Sequence, residues 1–213
     1  MMLSWFFILT LWEASLALTS LQANNYMDQV LADSNFRYQE AGSYIDPAPL
    51  ANFANSTSTK LYALKADAKF NYTNGIMKGL FRVKRYGDCV IFQNNNSFSC
   101  YLSFPNINVS YDGKLKYGVL PTKSIKAYAY IYSTLGYINV LPPTNSGGSA
   151  KVNAARVGNV QTEFTGLGQL NSQVKKLAEN AFVAKITEQL RQFFEIQLSA
   201  ALSRACARIS APK

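Results

Sequence analysis

Three cysteines are the first residues of this chain that could carry out chemistry. In the stretch CVIFQNNNSFSC, a hairpin that turns at Asn94-Asn95 places Cys89 directly opposite Cys100. Cysteines that lie this close form a disulfide in an oxidising compartment. Cys206 has apolar neighbours at helical spacing, which favours a small buried side chain, and a bridge from Cys206 to one of the other two cysteines is the alternative.

The other polar residues form no recognisable catalytic pattern. The chain has no histidine, so the usual base of a nucleophilic triad and the commonest metal ligand are both missing. It also lacks the C-x-x-C, G-x-S-x-G, P-loop and acidic calcium-loop patterns. Gly166-Leu167-Gly168 resembles the start of a dinucleotide fingerprint, but position 171 is asparagine where a third glycine or alanine is needed. We therefore predict no catalytic residue, no metal and no cofactor.

The first 17 residues, MMLSWFFILTLWEASLA, predict a secretory signal peptide. Their apolar run from Leu3 to Trp12 is too short to cross a bilayer, and Ser15-Leu16-Ala17 offers small residues for cleavage. A buried N-terminal helix is the alternative, but the segment has no polar face. We expect a secreted, extracellular protein in which residues 18–213 form a single domain.

Four N-x-S/T sequons fit that compartment, at Asn55, Asn71, Asn95 and Asn108. The sequence places Asn55 in a polar loop, Asn95 in a turn, and the other two on the polar faces of strands. We predict that all four positions can carry a glycan.

The formal net charge of +9 indicates attraction to anionic surfaces such as phospholipid head groups, bacterial lipids or glycosaminoglycans. Nucleic acid is not a predicted partner, because the chain shows neither a Lys/Arg-rich run nor a nucleic-acid-binding motif. Lys78, Arg82, Lys84 and Arg85 are the residues that could attract an anionic head group. A solvated strand face is the simpler interpretation of the same four side chains.

The periodicity of the sequence predicts a helix, a sheet and a second helix. An amphipathic pattern indicates a helix over about 19–41, ended by Gly42 and followed by a proline-containing linker. From about 60 to 164 the apolar residues recur at every second position, as in long antiparallel strands. From about 169 to 209 the period becomes 3.6, and the apolar stripe of this long helix finds a comparable apolar surface only on the sheet. We therefore expect the sheet to wrap the helix.

Within the sheet, the stretch FNYTNGIMKGLFRV predicts a hairpin that turns at Asn74-Gly75. The register that brings its apolar residues to one face pairs Tyr72 with Met77, Phe70 with Gly79, Ala68 with Phe81 and Ala66 with Val83. The phase of the apolar residues slips after Pro105, as a bulge or turn would require, and residues 150–164 predict a last strand.

The chain resembles the group 7 allergens of mites. The resemblance is carried by Asp46-Pro47, by GLFRVKRYGD at 79–88, by YDGKLKYG at 111–118 and, less specifically, by the amphipathic segment 180–202. Those allergens belong to the TULIP superfamily, with juvenile-hormone-binding, bactericidal/permeability-increasing and lipopolysaccharide-binding proteins. The resemblance implies an α+β super-roll, in which a long bent antiparallel sheet wraps one long C-terminal helix and a short N-terminal helix lies beside it.

The resemblance also implies a secreted carrier that holds a lipid or other hydrophobic small molecule in an elongated cavity between sheet and helix. The residues themselves fit a filled core equally well, because amphipathic periodicity does not distinguish the two. The residues that we expect to line the cavity are Ala66, Phe70, Phe81, Val83, Leu102, Ile131, Phe182, Ile186, Leu190 and Phe193.

Two alternative functions follow from other features of the sequence. A membrane-active or bacterial-lipid-binding defence protein would use the positive charge and release its long helix onto lipid. A protein-recognition module without a ligand would use the row formed by Tyr128, Tyr130 and Tyr132 as a contact face.

Overall fold

A computed structural model describes residues 18–33, 45–61, 64–92, 96–143, 148–168 and 172–211, without the side chains of 59–66. The predicted signal peptide and Asn95 lie outside these residues. The elements are α1 (Ser20–Ala32), β1 (Ala48–Leu50), β2 (Phe53–Leu61), β3 (Leu64–Lys78), a 3-10 turn (Leu80–Arg82), β4 (Lys84–Phe92), β5 (Ser97–Tyr117), β6 (Lys123–Leu141), β7 (Ser149–Val157), β8 (Val160–Thr165), α2 (Ser172–Gln192), a π-helical segment (Phe193–Leu198) and α3 (Ser199–Arg208).

Helix α1 begins where the sequence predicts and ends earlier. Thr19 caps its first turn and forms a capping box with Gln22, which satisfies backbone N–H groups that the helix leaves free. The helix ends at Ala32, because Asp33 leaves the helical conformation, and residues 34–41 of the predicted helix lie outside the described residues. The carboxylate of Asp33 instead accepts a hydrogen bond from Arg208 Nη2 at 2.6 Å, which ties the C-terminal ends of α1 and α3 together.

The sheet has eight antiparallel strands among the described residues, in the order β1-β3-β5-β6-β7. Strand β2 also pairs with β3, β4 with β5, and β8 with β6. Strands β1 and β2 lie in the segment predicted to be a linker, and residues 150–164 form two strands rather than one. Both corrections extend the sheet at its edges, where strands pair on one side only and the sequence signal is weakest.

The predicted hairpin at Asn74-Gly75 is wrong. Residues 64–78 form one continuous strand that pairs with β2 on one side and with β5 on the other. Asn74 has a φ of 55°, and the register of β3 against β5 shifts between Thr73 and Ile76. The Asn-Gly pair therefore forms a bulge, which needs the same left-handed backbone as a tight turn. The hydroxyphenyl ring of Tyr111 lies over Gly75, where a Cβ would come within 2.3 Å of it.

A bend crosses the sheet at one level, and both of its longest strands pass through it. The inward-facing residues change phase between Phe104 and Ile107 in β5, and between Ile131 and Thr134 in β6. Because the changes coincide, the β5–β6 register is preserved and Ile107 still pairs with Ile131. The phase slip predicted after Pro105 is confirmed as a bend that the two strands share.

Two glycines allow neighbouring segments of the backbone to approach β5 and β6 closely at this bend. A Cβ at Gly79 would lie 2.5 Å from the carbonyl oxygen of Asn106, and a Cβ at Gly158 would lie 1.9 Å from that of Ser133. Both glycines sit in gaps between strands, Gly79 after β3 and Gly158 between β7 and β8. The bend thus divides the sheet into a half with β1, β2, β3 and β8 and a half with β4 and β7.

The long C-terminal helix, consisting of α2, the π-helical segment and α3, is confirmed. Helix α2 packs on β2, β7 and β8, and α3 packs on β7. Helix α1 contacts β4 and α3. The apolar residues of the helices and of the inner sheet face form one continuous buried core. The fold is therefore the expected α+β super-roll, a long antiparallel sheet bent around one C-terminal helix.

Candidate ligand-binding site between sheet and helix

Phe182 of α2 lies at the centre of the sheet half that contains β1, β2, β3 and β8. Its ring contacts aromatic rings from four different strands, with centroid distances of 5.1 to 6.0 Å. Those rings belong to Phe53 of β2, Tyr72 of β3, Tyr111 of β5 and Phe164 of β8. Because β2 and β8 lie at opposite edges of this half, one helical side chain joins both edges of the sheet.

A second aromatic contact lies near the bend. The ring of Phe194 is 4.9 Å from that of Phe104, and the ring of Phe193 is 6.2 Å from that of Phe194. Both helical phenylalanines are buried although they are adjacent in sequence. They belong to the π-helical segment, whose wider turn differs from the regular 3.6-residue repeat, and π segments often occur at functional sites.

One polar network crosses the apolar interior. The Tyr111 hydroxyl lies 3.0 Å from Gln189 Oε1, and Gln189 Nε2 donates to the carbonyl oxygen of Ala51 at 3.1 Å. Burial raises the pKa of the Tyr111 phenol to about 12, and the bond to Gln189 acts in the opposite direction. The network satisfies the polar atoms of a glutamine that is only 7% exposed on the apolar face of α2.

Three buried hydroxyls have no partner among the described residues, namely those of Tyr72, Tyr117 and Thr134. The Tyr72 hydroxyl lies in the aromatic cluster around Phe182, and Thr134 Oγ1 lies at the bend next to Phe104 in the β5–β6 pair. Burial raises the pKa of the Tyr72 phenol, so this group is a neutral donor. An unpaired buried hydroxyl is unfavourable, which sets these three atoms apart from the satisfied Tyr111–Gln189 network.

The structure brings most of the predicted lining residues to the inside of the sheet or onto the buried face of the helix. Buried there are Phe70, Leu102, Ile131, Phe182, Ile186, Leu190 and Phe193. Val83 is 8% exposed and follows the 3-10 turn. Phe81 is 46% exposed in that turn, because the predicted pairing with Ala68 does not exist. The side chain of Ala66 lies outside the described residues, and contact of any of these residues with a ligand stays a prediction.

Several side chains around Phe182 are not among the lining residues that the sequence predicts. Phe53 lies in the segment predicted to be a linker, and Tyr72 is predicted on an apolar strand face but not as a lining residue. Gln189 could have been found, because it is a polar residue beside Leu190 on an otherwise apolar helical stripe. A polar side chain on such a stripe indicates a buried hydrogen bond.

The predicted Cys89–Cys100 disulfide is confirmed, with a Cα–Cα distance of 4.5 Å. It joins β4 to β5 one residue beyond the Val90–Ser99 pair. Cys206 is free and buried, and its carbonyl oxygen accepts a hydrogen bond from the Tyr26 hydroxyl at 2.9 Å.

Helix α1 docks beside this disulfide through polar contacts. Asn24 accepts a hydrogen bond from the backbone amide of Cys89 and donates one to Asp88, both at 2.9 Å. One helical turn further, Asp28 receives two hydrogen bonds from Arg85, at 3.0 and 3.1 Å. Arg85 is thus engaged within the fold, so it is not one of the cations that face solvent freely.

Two open grooves lie on the outer, polar face of the sheet. One has a volume of about 480 Å³ and includes Lys69, Lys114 and Lys116 in its wall, and the other has about 530 Å³ and includes Asp112 and Lys126. Lys69 and Lys116 are direct cross-strand neighbours, which is unfavourable for two like charges. Neither groove lies between the sheet and the helix.

The described sequons differ in their access to solvent. Asn71 and Asn108 are exposed on the outer face, as predicted. Asn55 lies in β2 rather than in a loop, and its side-chain nitrogen, the atom to which a glycan attaches, is buried. A glycan at Asn55 would therefore need the side chain to turn outward, while glycosylation of Asn71 and Asn108 stays a prediction.

A sheet bent around one long helix, with an apolar interface between them, is the TULIP class of fold. Within that class, the chain belongs to the group 7 allergen family, because the family model described as "Group 7 allergen" matches residues 22–205. No curated protein matches the sequence.

The solved structures that are similar to this chain include the following two. The crystal structure of a lipopolysaccharide binding protein is 11% identical with a TM-score of 0.50, and the match covers 90% of this chain and 38% of that one. This chain therefore spans well under half of that protein. The crystal structure of Takeout 1 from Epiphyas postvittana is 12% identical with a TM-score of 0.39. That match covers 89% of this chain and 92% of Takeout 1.

Two features are absent from the described residues. None of the helices there has the length and apolar character that a membrane span requires. No group of three or more potential metal ligands was found in the same residues.

Proposed function

We propose that the protein is a secreted, non-enzymatic carrier that binds a lipid or another hydrophobic small molecule between the sheet and the long helix. The observation that supports this most is the position of Phe182, whose ring contacts aromatic side chains from both edges of one sheet half. Membership in the group 7 allergen family is consistent with this proposal. One of the similar solved structures is that of a lipopolysaccharide binding protein.

The contacts around Phe182 suit exchange with a ligand. They are ring-to-ring contacts, so separating the rings breaks no hydrogen bond between backbone groups, and the bond from Gln189 to the Ala51 carbonyl oxygen is the polar contact that α2 would have to give up on the β2 side. An alkyl chain that replaces them gains about 0.8 kcal/mol for each methylene removed from water, before the entropic cost of binding. Affinity of this kind requires apolar surface and little directional chemistry.

Native mass spectrometry before and after extraction with organic solvent tests the proposal. We expect extra mass before extraction, and uptake of a fluorescent hydrocarbon or lipid afterwards. Ile186→Asp places a charge on the buried helical face and should abolish uptake, whereas Leu177→Asp, at a helical position that is 42% exposed, should not. Thermal unfolding of both variants shows whether Ile186→Asp still folds. Absence of both extra mass and uptake in the unaltered protein would contradict the proposal.

A second function, binding to anionic lipid surfaces, is favoured by the 3-10 turn. Phe81 is 46% exposed there, and the guanidinium of Arg82 lies 5.3 Å from the centre of its ring. Lys78 and Lys84 flank the turn and are exposed. An exposed aromatic side chain beside cations is typical of contact with a lipid head-group region.

Flotation with vesicles separates this function from the carrier. Vesicles of neutral phosphatidylcholine should not bind the protein, and vesicles that also contain anionic phosphatidylglycerol should. Replacing Phe81 with serine should weaken that binding without changing uptake of a hydrocarbon. Equal binding to both kinds of vesicle would contradict a role for the charges.

A further inference from the structure

We propose that the molecule held in the interior is a neutral lipid with a hydrogen-bond-accepting oxygen, such as an ester, ketone or alcohol, and that the Tyr72 hydroxyl donates to this oxygen. The inference rests on the proposed carrier function and goes beyond it by naming the chemical class of the ligand and the residue that recognises its polar atom.

Tyr72 is held from several sides by aromatic rings. Its ring is stacked 4.6 Å from that of Phe53 and lies 5.1 Å from that of Phe182, with Phe70 and Tyr111 each at 6.2 Å. The residue is fully buried, yet its hydroxyl has no partner among the described residues. A phenylalanine would make the same ring contacts without the penalty of an unpaired donor, so the hydroxyl is the part of this side chain that needs an acceptor.

The neighbouring polar groups do not provide that acceptor. Tyr111 and Gln189 satisfy each other and the carbonyl oxygen of Ala51. Tyr72 therefore contributes the donor in this cluster that is still available to an incoming molecule. At neutral pH it donates and stays uncharged, since burial disfavours the phenolate.

The interior favours an uncharged ligand. The buried polar residues among those described are Asn24, Ser99, Thr134, Gln189 and Ser199, and none of them is ionised. A carboxylate or phosphate buried beside Tyr72 would lose its hydration with a single neutral donor in exchange, which is strongly unfavourable. An ester or ketone oxygen carries a much smaller desolvation cost and is satisfied by one hydrogen bond.

Displacement of diphenylhexatriene, a fluorescent hydrocarbon without oxygen, tests this assignment on the purified full chain after extraction. The competitors are dodecane, methyl dodecanoate and dodecanoate, which share an alkyl chain and differ in their polar end. We expect Tyr72→Phe to weaken displacement by methyl dodecanoate about tenfold and to leave displacement by dodecane unchanged. In the unaltered protein, the ester should displace the probe better than the anion.

A matched control and a folding measurement make the test specific. Tyr26→Phe removes another buried hydroxyl, which donates to Cys206 on the far side of the bend, and should not change the effect of the ester. Tyr72→Phe without ligand should unfold at the same or a higher temperature, because it removes an unpaired donor.

The possible failures are distinguishable. If the probe binds but Tyr72→Phe changes neither competitor, the role of Tyr72 is wrong and the carrier function stands. If dodecanoate is the best competitor, the ligand class is wrong. If the probe does not bind and no ligand mass is found, the carrier function fails as well.

Discussion

At the scale of single residues, Tyr26, Tyr72 and Tyr111 are the fully buried tyrosines among the described residues, and their hydroxyls have three different environments. Tyr26 donates to a backbone carbonyl, Tyr111 shares a network with Gln189, and the hydroxyl of Tyr72 is without a partner among the described residues. The polar atoms of this core are thus individually placed, although the core as a whole is apolar. The rings around Phe182 would bind a hydrocarbon without discrimination, so selectivity depends on these few hydroxyl and amide groups.

Buried ionisable groups predict a loss of stability at alkaline pH. Burial raises the pKa of the Cys206 thiol from 9.0 to about 11. Because the thiol loses its proton more readily in the unfolded chain, its contribution to stability is complete below about pH 9 and is lost as the pH rises toward about 11. We expect the free energy of unfolding to fall between about pH 8 and pH 10.5, with up to roughly 2 kcal/mol of the fall due to this thiol.

Urea denaturation at the two pH values measures this change. In Cys206→Ala the fall should be smaller by the part that the thiol contributes, and the remainder comes from the tyrosines, whose pKa values burial also raises. An identical fall in the variant and the unaltered protein would show that Cys206 does not titrate in this range.

At the scale of elements, the docking of α1 depends on a few polar contacts beside the disulfide. Asn24→Ala leaves the buried amide of Cys89 without its acceptor and should lower the free energy of unfolding by about 1–3 kcal/mol. Asn25→Ala is the matched control, because Asn25 is the adjacent residue of the same type and is exposed. Chemical denaturation of both variants measures the difference. Equal values would show that the Asn24 bridge does not hold the helix.

The sequence predicted elements well where the signal is long or local. The C-terminal helix repeats its apolar spacing over many turns, and the Cys89–Cys100 pair needs only one hairpin. The Asn74-Gly75 signal failed because it specifies a left-handed backbone, and a bulge uses that backbone as readily as a turn does. Because of this error, Phe81 was predicted to face the interior, whereas it is exposed in the 3-10 turn.

The candidate site was predictable in part for the same reasons. The lining residues on the helix and on the paired strands follow from periodicity, whereas Phe53 was missed because an edge strand rich in Ser, Thr and Asn looks like a loop. The unpaired state of the Tyr72 hydroxyl depends on long-range packing, which no local pattern specifies.

At the scale of the whole molecule, the bend sets the shape of the interior. Gly158→Ala would bring a Cβ to within 1.9 Å of the Ser133 carbonyl oxygen, so the connection between β7 and β8 would have to move away from β6. We expect a loss of at least about 2 kcal/mol in the free energy of unfolding. Gly87→Ala is the control: its φ of 70° disfavours alanine by about 1–2 kcal/mol, but nothing lies within 4 Å of the added atom. A larger loss for Gly87→Ala than for Gly158→Ala would contradict the steric role of the bend.

The continuity of β5 and β6 has a consequence for loading. These two strands stay hydrogen-bonded in one register across the bend, so the sheet does not open between β5 and β6. In the proposed carrier, we therefore expect space for a ligand to form at the margins, where β2 and β8 meet α2. If that separation is the slow step, the rate of uptake is a property of the protein alone, and guests of different chain length enter equally fast while differing in how long they stay.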